Sequence, residues 1–145
     1  AKVSTTLGVS ENAARYYLQL LAWPDPTDAH VRRWNSWQKA DIVAAAQELV
    51  ALNFVVEAKR PRSRRSFFLQ GGWAEAVPPH LPLESWKVES LAFHPNASGS
   101  KYEPALRVAV APLPAPEWFA ECWERSQGED APQFSELETT RRKRR

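Results

Sequence analysis

Residues 40–69 constrain the fold of this chain more than any other stretch, because a helical pattern changes there into a strand pattern within a few residues. The segment Lys39–Leu52 reads KADIVAAAQELVAL and is rich in strong helix formers. Its apolar residues recur at helical spacing and predict a buried stripe of Ile42, Val43, Ala46, Leu49 and Val50. Asn53 follows where a left-handed cap is expected. Strand-type residues at 54–58 and 66–70 then enclose a polar loop, which predicts a β-hairpin.

Two further helices are predicted upstream of this stretch. The first begins at Ser10, whose side chain is a favourable N-cap, and it ends before Pro24 and Pro26, because proline lacks the amide donor. Thr27 or Asp28 then caps a second helix, which is expected to run through Trp37. We expect the tryptophans of this region to pack in the core where the two helices meet; these are Trp23, Trp34 and Trp37.

Proline dominates the second half of the chain. Eight of the twelve prolines lie between Pro78 and Pro116, so long helices are not expected there. The residue pattern predicts strands at Leu83–Phe93 and Ala105–Ala111, with a flexible turn at Asn96–Ser100. A short amphipathic helix is expected at about 116–127, where Pro116 suits the first helical position.

The chain is therefore predicted to belong to the α+β class and to have two parts. Residues 1–75 form a domain of three helices and a β-hairpin, and residues 76–145 form a Pro-rich α/β extension with a disordered, basic tail at Glu136–Arg145. No apolar run approaches the roughly 18 residues that span a bilayer. The single cysteine, Cys122, rules out an internal disulfide, which agrees with a cytoplasmic setting. Because the chain contains no methionine, we expect it to be part of a larger protein.

The positive charge is concentrated in two short segments. Five basic residues lie within Lys59–Arg65, and five more form the run Arg141–Arg145. Outside these two segments the chain has 9 basic and 17 acidic residues, so its body is acidic although the formal net charge is +2. Such a distribution favours contact between the loop at 59–65 and nucleic acid or another acidic partner over the alternative, a loop that is simply solvated.

The stretch Ala40–Leu69 resembles the core of winged helix-turn-helix domains, including those of MarR-like bacterial regulators. The shared pattern is a helix, apolar positions after it, a strand, a basic loop (the wing) and a second strand; Leu49, Phe54 and Val55 take the leucine and apolar positions. Asn53 stands where such domains usually carry glycine. The resemblance implies that the third helix enters the DNA major groove and that the wing contacts the backbone or the minor groove.

The residues of the third helix favour the wing as the main contact. Its exposed face is expected to carry Lys39, Asp41, Ala44, Ala45, Gln47, Glu48 and Ala51. Only Gln47 suits base-edge contact well, and the two acidic residues would approach phosphates unfavourably. The candidate nucleic-acid-binding residues are therefore Lys59, Arg60, Arg62, Arg64, Arg65, Arg32, Arg33, Lys39 and Gln47. Binding to duplex DNA through them should depend strongly on salt.

A protein–protein interaction module is the alternative function. Trp118 and Trp123 on the C-terminal helix either dock that helix onto the domain or present an apolar surface to a partner protein. An enzyme is not expected, because no catalytic motif stands out. The three histidines lack metal-ligand spacing and no glycine loop suits a phosphate, so we expect neither a metal nor a cofactor.

Overall fold

The computed structural model describes residues 2–60, 62–76, 81–87, 93–95, 102–104, 115–128 and 131–132. The helices within these residues are α1 (Lys2–Leu7), α2 (Glu11–Ala22), α3 (Asp28–Asn35), α4 (Lys39–Ala51) and α5 (Ala115–Ser126), with a 3-10 turn at Ser85–Lys87. The strands are β1 (Val55–Glu57), β2 (Phe67–Leu69), β3 (Trp73–Ala76), β4 (Leu81–Glu84), β5 (Phe93–Pro95) and β6 (Tyr102–Pro104). This mixture confirms the predicted α+β class.

Side-chain caps set where the central helices begin. Ser10 and Thr27 each accept a hydrogen bond from the backbone amide three residues later, at 3.1 and 3.2 Å, and these bonds start α2 and α3. Of the two caps proposed for the second predicted helix, Thr27 is the one used. At the start of α4, the Asp41 carboxylate accepts the backbone amide of Gln38 at 2.7 Å. Local sequence therefore determines these boundaries.

A tight turn separates α3 from α4. Ser36 takes the left-handed conformation with φ of 57°, and its amide donates to the carbonyl of Arg32. The second helix therefore ends at Asn35, earlier than the predicted run to Trp37. Trp37 itself is buried beside Tyr16, with the two ring centroids 6.5 Å apart.

The helix α2 lies at the centre of the core, and α4 packs against it. The buried residues of α4 are Ile42, Ala45, Ala46 and Leu49. The predicted stripe was therefore rotated: Ala45 is buried, whereas Val43 and Val50 are each 36% exposed. Ala45 belongs to the same hydrophobic cluster as the buried residues of α2, so packing in the core decides which side of α4 is buried.

The predicted β-hairpin is confirmed. Asn53 has the left-handed φ of 61° expected after α4. Strands β1 and β2 pair antiparallel, with Val55 opposite Leu69. Beyond the strands, the amide of Ala58 donates to the carbonyl of Ser66 at 2.9 Å, so the hairpin continues to the base of the basic loop.

The extension contains a second sheet with the strand order β4-β3-β6-β5. In it β3 pairs antiparallel with β4 and parallel with β6. The predicted continuous strand Leu83–Phe93 is wrong, because β4 ends at Glu84 and the 3-10 turn Ser85–Lys87 follows. The predicted strand Ala105–Ala111, the turn Asn96–Ser100 and the basic tail lie outside the described residues.

Helix α5 agrees with the short amphipathic helix expected at about 116–127, and it packs along α2. Trp118 and Cys122 of α5 and Leu83 of β4 belong to the same hydrophobic cluster as the core of residues 1–75. The described part of the extension therefore completes that core. The division between residues 75 and 76 stays a prediction.

The order helix, helix, helix, hairpin over α2 to β2 is compatible with a winged helix-turn-helix. Within the described residues no helix is both long enough and apolar enough to cross a membrane.

Candidate functional site

The basic loop, Lys59–Arg65, contains two kinds of basic residue. Lys59, Arg62 and Arg64 are exposed at the surface. Arg60 and Arg65 were expected to be exposed with them, but they are only 7% and 4% accessible. The structure therefore corrects the expectation of five surface cations, and three of the five are placed where an external partner can reach them.

Arg65 is held inside the protein by two carboxylates. Its Nε donates to Asp25 Oδ1 at 2.7 Å, and its Nη1 donates to Glu84 Oε2 at 3.0 Å, while Nη2 bonds the other oxygen of Glu84. Glu84 Oε2 also accepts the backbone amide of Leu69 in β2 at 3.2 Å. These bonds consume the donors with which Arg65 could have held a phosphate.

Lys87 completes this buried cluster. Its Nζ lies 3.2 Å from Glu84 Oε1 and donates to the carbonyl of Trp23. Two cations and two carboxylates (Asp25, Glu84, Arg65 and Lys87) therefore balance one another. Burial lowers the pKa of Lys87 to about 8, against the opposing attraction of Glu84. Burial would raise the pKa of Glu84, but Arg65, Lys87 and the hydrogen bonds together lower it to about 2.

Arg60 is held by aromatic rings. Its guanidinium carbon lies 4.0 Å from the centroid of the Phe68 ring and 5.1 Å from that of Trp73. The guanidinium of Arg65 lies over the same Phe68 ring at 4.1 Å. Burial lowers the pKa of Arg60 to about 10. Cation–π contacts thus replace much of the water that a surface arginine would keep.

Exposed cations of α3 and α4 lie near Asp28, whose backbone is bonded to the basic loop. The backbone amide of Asp28 donates to the carbonyl of Arg64 at 3.2 Å, which joins the basic loop to the start of α3. Burial raises the pKa of the Asp28 carboxyl, and the positive charges of Arg65, Lys39 and Arg32 oppose that rise. Lys39 at the start of α4 and Arg32 on α3 therefore lie close to the loop.

We call this region the basic surface. It comprises the exposed basic residues of the loop, of α3 and of the start of α4: Lys59, Arg62, Arg64, Arg32, Arg33 and Lys39. The backbone bond between Asp28 and Arg64 joins the loop to α3, and the charges of Arg32 and Lys39 act on the Asp28 carboxyl. One end of the basic loop is anchored, because Arg65 lies in the buried cluster and is paired with Asp25 and Glu84.

The outward face of α4 is mainly apolar. Gln47 is exposed, as predicted, but its neighbours on that face are Ala40, Val43, Ala44, Val50 and Ala51. Glu48, expected to face phosphates, instead accepts the backbone amide of Ser10 at 3.0 Å and the Ser10 hydroxyl. These bonds lower the pKa of Glu48. Gln47 is thus the one side chain of this face well suited to reading a base edge.

A comparison of this chain with protein family models, curated proteins and solved structures finds no match. Functional inference therefore rests on the geometry of the molecule itself. Among the described residues there is also no group of three His, Cys, Asp or Glu side chains placed to hold a metal ion.

Trp118 docks α5 onto the domain. It is only 3% exposed, and its indole Nε1 donates to the carbonyl of Ala22 at 2.7 Å. Of the two roles left open by the sequence, the structure therefore gives Trp118 the docking role. Burial raises the pKa of the neighbouring Cys122 thiol to about 11, which disfavours the reactive thiolate.

Trp123 is half-buried and lines a groove between α1 and α5 of about 500 Å³. The other residues lining the groove are Lys2, Thr6, Ala120, Glu124 and Gln127. Trp123 thus keeps some surface towards solvent, unlike Trp118.

Sequence reasoning missed three residues of the buried cluster and one surface aromatic. Asp25, Glu84 and Lys87 carry no motif, because their roles depend on contacts across distant parts of the chain. Trp34, expected in the core, is 47% exposed. His30 and Trp34 lie four residues apart on a helix. This spacing could have indicated that the two rings share one face of that helix.

Proposed function

We propose that this chain is a winged-helix binding module that contacts duplex DNA mainly through the basic surface, within a larger regulatory protein or complex. The observation that carries the proposal is that Arg32 and Lys39 lie near Asp28, whose backbone amide is bonded to the carbonyl of Arg64 in the exposed basic loop. In this interpretation the basic loop is the wing, and α3 and α4 form the helix-turn-helix.

The chemistry of the basic surface suits phosphate oxygens. Arginine presents a planar fork of donors that matches a phosphate, and the basic loop, α3 and the start of α4 each supply exposed cations. Most contacts would go to the DNA backbone, which positions a protein without selecting a sequence. With Gln47 as the one well-suited base reader on α4, selectivity between sequences should be weak.

The buried cluster would support this contact indirectly. Arg65 ties the end of the basic loop to Asp25 and Glu84, so Arg64 is presented from a fixed backbone. A fixed loop loses less conformational entropy when it binds than a mobile one would. The described residues that anchor the loop are therefore distinct from those that would touch DNA.

The experiment is a titration of a labelled 20-base-pair duplex with the full chain at several salt concentrations. The variant Arg32→Gln/Lys39→Gln/Arg64→Gln should weaken binding on unrelated sequences alike and reduce the salt slope by about one for each phosphate that is no longer neutralised. Lys2→Gln/Arg15→Gln, which removes exposed charges from α1 and α2, is the control and should bind nearly as the unmodified chain. Absence of duplex binding by the folded chain at low salt would reject the proposal.

A second candidate function is protein–protein interaction through α4. Val43 and Val50 are each 36% exposed on its outward face, and Leu52 at its end is 48% exposed. Exposed aliphatic residues on one helix face suit an apolar partner surface better than a DNA groove. A partner protein whose binding survives nuclease treatment would favour this function. That binding should be abolished in Val43→Asp/Val50→Asp and retained in the Arg32, Lys39 and Arg64 variant.

A further inference from the structure

Four aromatic rings form a continuous ladder from the α2–α5 contact to the surface of α3. Trp23 meets Phe119 edge-on, with centroids 5.5 Å apart, and lies 6.0 Å from Trp34. Trp34 in turn stacks with the ring of His30 at 5.5 Å and an interplanar angle of 28°. The ladder thus starts among partly buried rings and ends at two exposed ones.

The ladder holds its exposed end in place. His30 and Trp34 are four residues apart on α3 and therefore share one face of the helix. From beneath, Trp23 packs against Trp34, and Trp23 is itself braced by Phe119 of α5. Trp118, the residue before Phe119, is bonded to the carbonyl of Ala22, which fixes this part of α5.

Exposure of the rings at the end of the ladder costs free energy and needs an explanation. Trp34 leaves 47% of its surface accessible, and a tryptophan gains more free energy from burial than almost any other side chain. The other exposed residues of α3 are Ala29, Arg32 and Arg33. The helix therefore offers flat rings and guanidinium groups, with no aliphatic side chain larger than alanine exposed beside them.

We propose that His30 and Trp34 form a stacking site for an unpaired nucleobase, with Arg33 contacting the adjoining phosphate. A planar ring pair accepts the face of any base, and a neighbouring cation complements the charge of the backbone. An apolar protein surface would be better matched by aliphatic residues around the rings, and α3 exposes none of that size. This site shares Arg33 with the basic surface and goes beyond the duplex contact, because its two rings would bind an unpaired base.

The stacking site and the basic surface adjoin along α3. Asp28, whose backbone is bonded to the basic loop, and His30 lie in the same turn of α3, and Arg32 and Arg33 follow directly. A nucleic acid with both paired and unpaired segments could therefore engage both surfaces of one module. The ligand class assigned to the new site is single-stranded nucleic acid.

The test measures binding of the full chain to a labelled 12-nucleotide single strand and to an abasic strand of the same length. Trp34→Ala should weaken binding to the normal strand by about 5- to 100-fold, the range that removal of one base–aromatic stack produces. Trp34→Phe should restore most of the affinity, because it keeps a ring. On the abasic strand, unmodified chain and Trp34→Ala should bind alike.

Two matched controls separate this site from the rest of the molecule. Leu52→Ala removes another exposed hydrophobic side chain, outside α3, and should leave single-strand binding unchanged. The Arg32, Lys39 and Arg64 variant tests the duplex contact, whereas Trp34→Ala should bind a blunt duplex as well as the unmodified chain does. The absence of duplex binding would therefore reject the duplex contact and not the stacking site. An unchanged single-strand affinity of Trp34→Ala would reject the stacking site and not the duplex contact.

Several results would overturn the proposal. One is an unmodified chain that binds no single strand at low salt; another is a folded Trp34→Ala variant with undiminished affinity. An equal loss on the normal and abasic strands would show that Trp34 supports the backbone contact and does not stack on a base. The chain could also bind a partner protein in the presence of nuclease. If Trp34→Ala abolished that binding and left single-strand binding unchanged, the rings would be assigned to a protein partner.

Discussion

Arg65 and Glu84 form a two-point ion pair inside the protein, although they lie 19 positions apart in the chain. Glu84 also bonds the backbone of β2 and the ammonium group of Lys87. One carboxylate therefore joins the basic loop, the hairpin and the extension. This relationship separates residues that maintain the fold from residues exposed to a partner, and the separation can be tested.

Removal of the buried carboxylate should destabilise the fold strongly. Glu84→Gln leaves Arg65 and Lys87 buried without their main counter-charge, and we expect a loss of about 3 to 5 kcal/mol in the free energy of unfolding. Urea unfolding followed by circular dichroism measures this loss. Glu57→Gln, at an exposed position of β1, should change stability by less than about 0.5 kcal/mol. A Glu84→Gln variant as stable as this control would contradict a role for the cluster in stability.

The same carboxylate should produce a defined acid dependence. The folded-state pKa of Glu84 is lowered to about 2, from an ordinary value of 4.5, so its contribution is fully present above pH 4.5 and is lost as the pH falls towards 2. The stability difference between the unmodified chain and Glu84→Gln should shrink over that window. Urea midpoints at about pH 6, 4 and 3 measure it, and a difference independent of pH would refute the assignment.

Two neighbouring arginines should have opposite phenotypes. Arg64→Gln should weaken DNA binding and leave the free energy of unfolding nearly unchanged, because the side chain is exposed. Arg65→Gln should destabilise the protein by about 3 to 5 kcal/mol, because it strips a buried cation from two carboxylates. Paired measurements of duplex affinity and urea unfolding on the two variants decide the matter. Equal stability losses would show that the loop is not divided in this way.

Truncation of Trp118 should loosen α5. Trp118→Ala removes a buried indole together with its bond to Ala22, and we expect a cost of about 3 to 5 kcal/mol. Trp123→Ala should cost less, since that ring is only half-buried. Thermal and urea unfolding of both variants provide the comparison. A larger loss of stability in Trp123→Ala than in Trp118→Ala would show that Trp123, and not Trp118, makes the main docking contact.

The bond between Ser10 and Glu48 should contribute modestly to stability. Ser10 caps α2 and also donates to the Glu48 carboxylate of α4, so Ser10→Ala removes both interactions. A loss of about 1 to 2 kcal/mol is expected, as is typical of N-cap removal. Thr6→Ala on α1, whose exposed hydroxyl donates to the carbonyl of Lys2 in the same helix, serves as the control. Urea unfolding of the two variants is the measurement, and equal midpoints would argue against the capping role.

Local chemistry in the sequence was enough to locate the main elements. Ser10 and Thr27 marked the starts of α2 and α3, because capping involves only residues within one turn. Asn53 and the strand-type runs after it marked the hairpin for the same reason. The short helix after Pro116 was also predicted, since proline at a first helical position is a local preference.

The residues that meet solvent or a partner were decided by the tertiary structure. Arg60 and Arg65 read as surface cations in the sequence, yet aromatic rings and carboxylates from distant segments enclose them. Trp34 reads as a core residue, yet 47% of its surface stays exposed although it contacts Trp23. The sequence by itself determined where helices and hairpin form, through contacts between near neighbours. Only the packing of those elements decided which charges and rings remain available for binding, since burial depends on residues far apart in the chain.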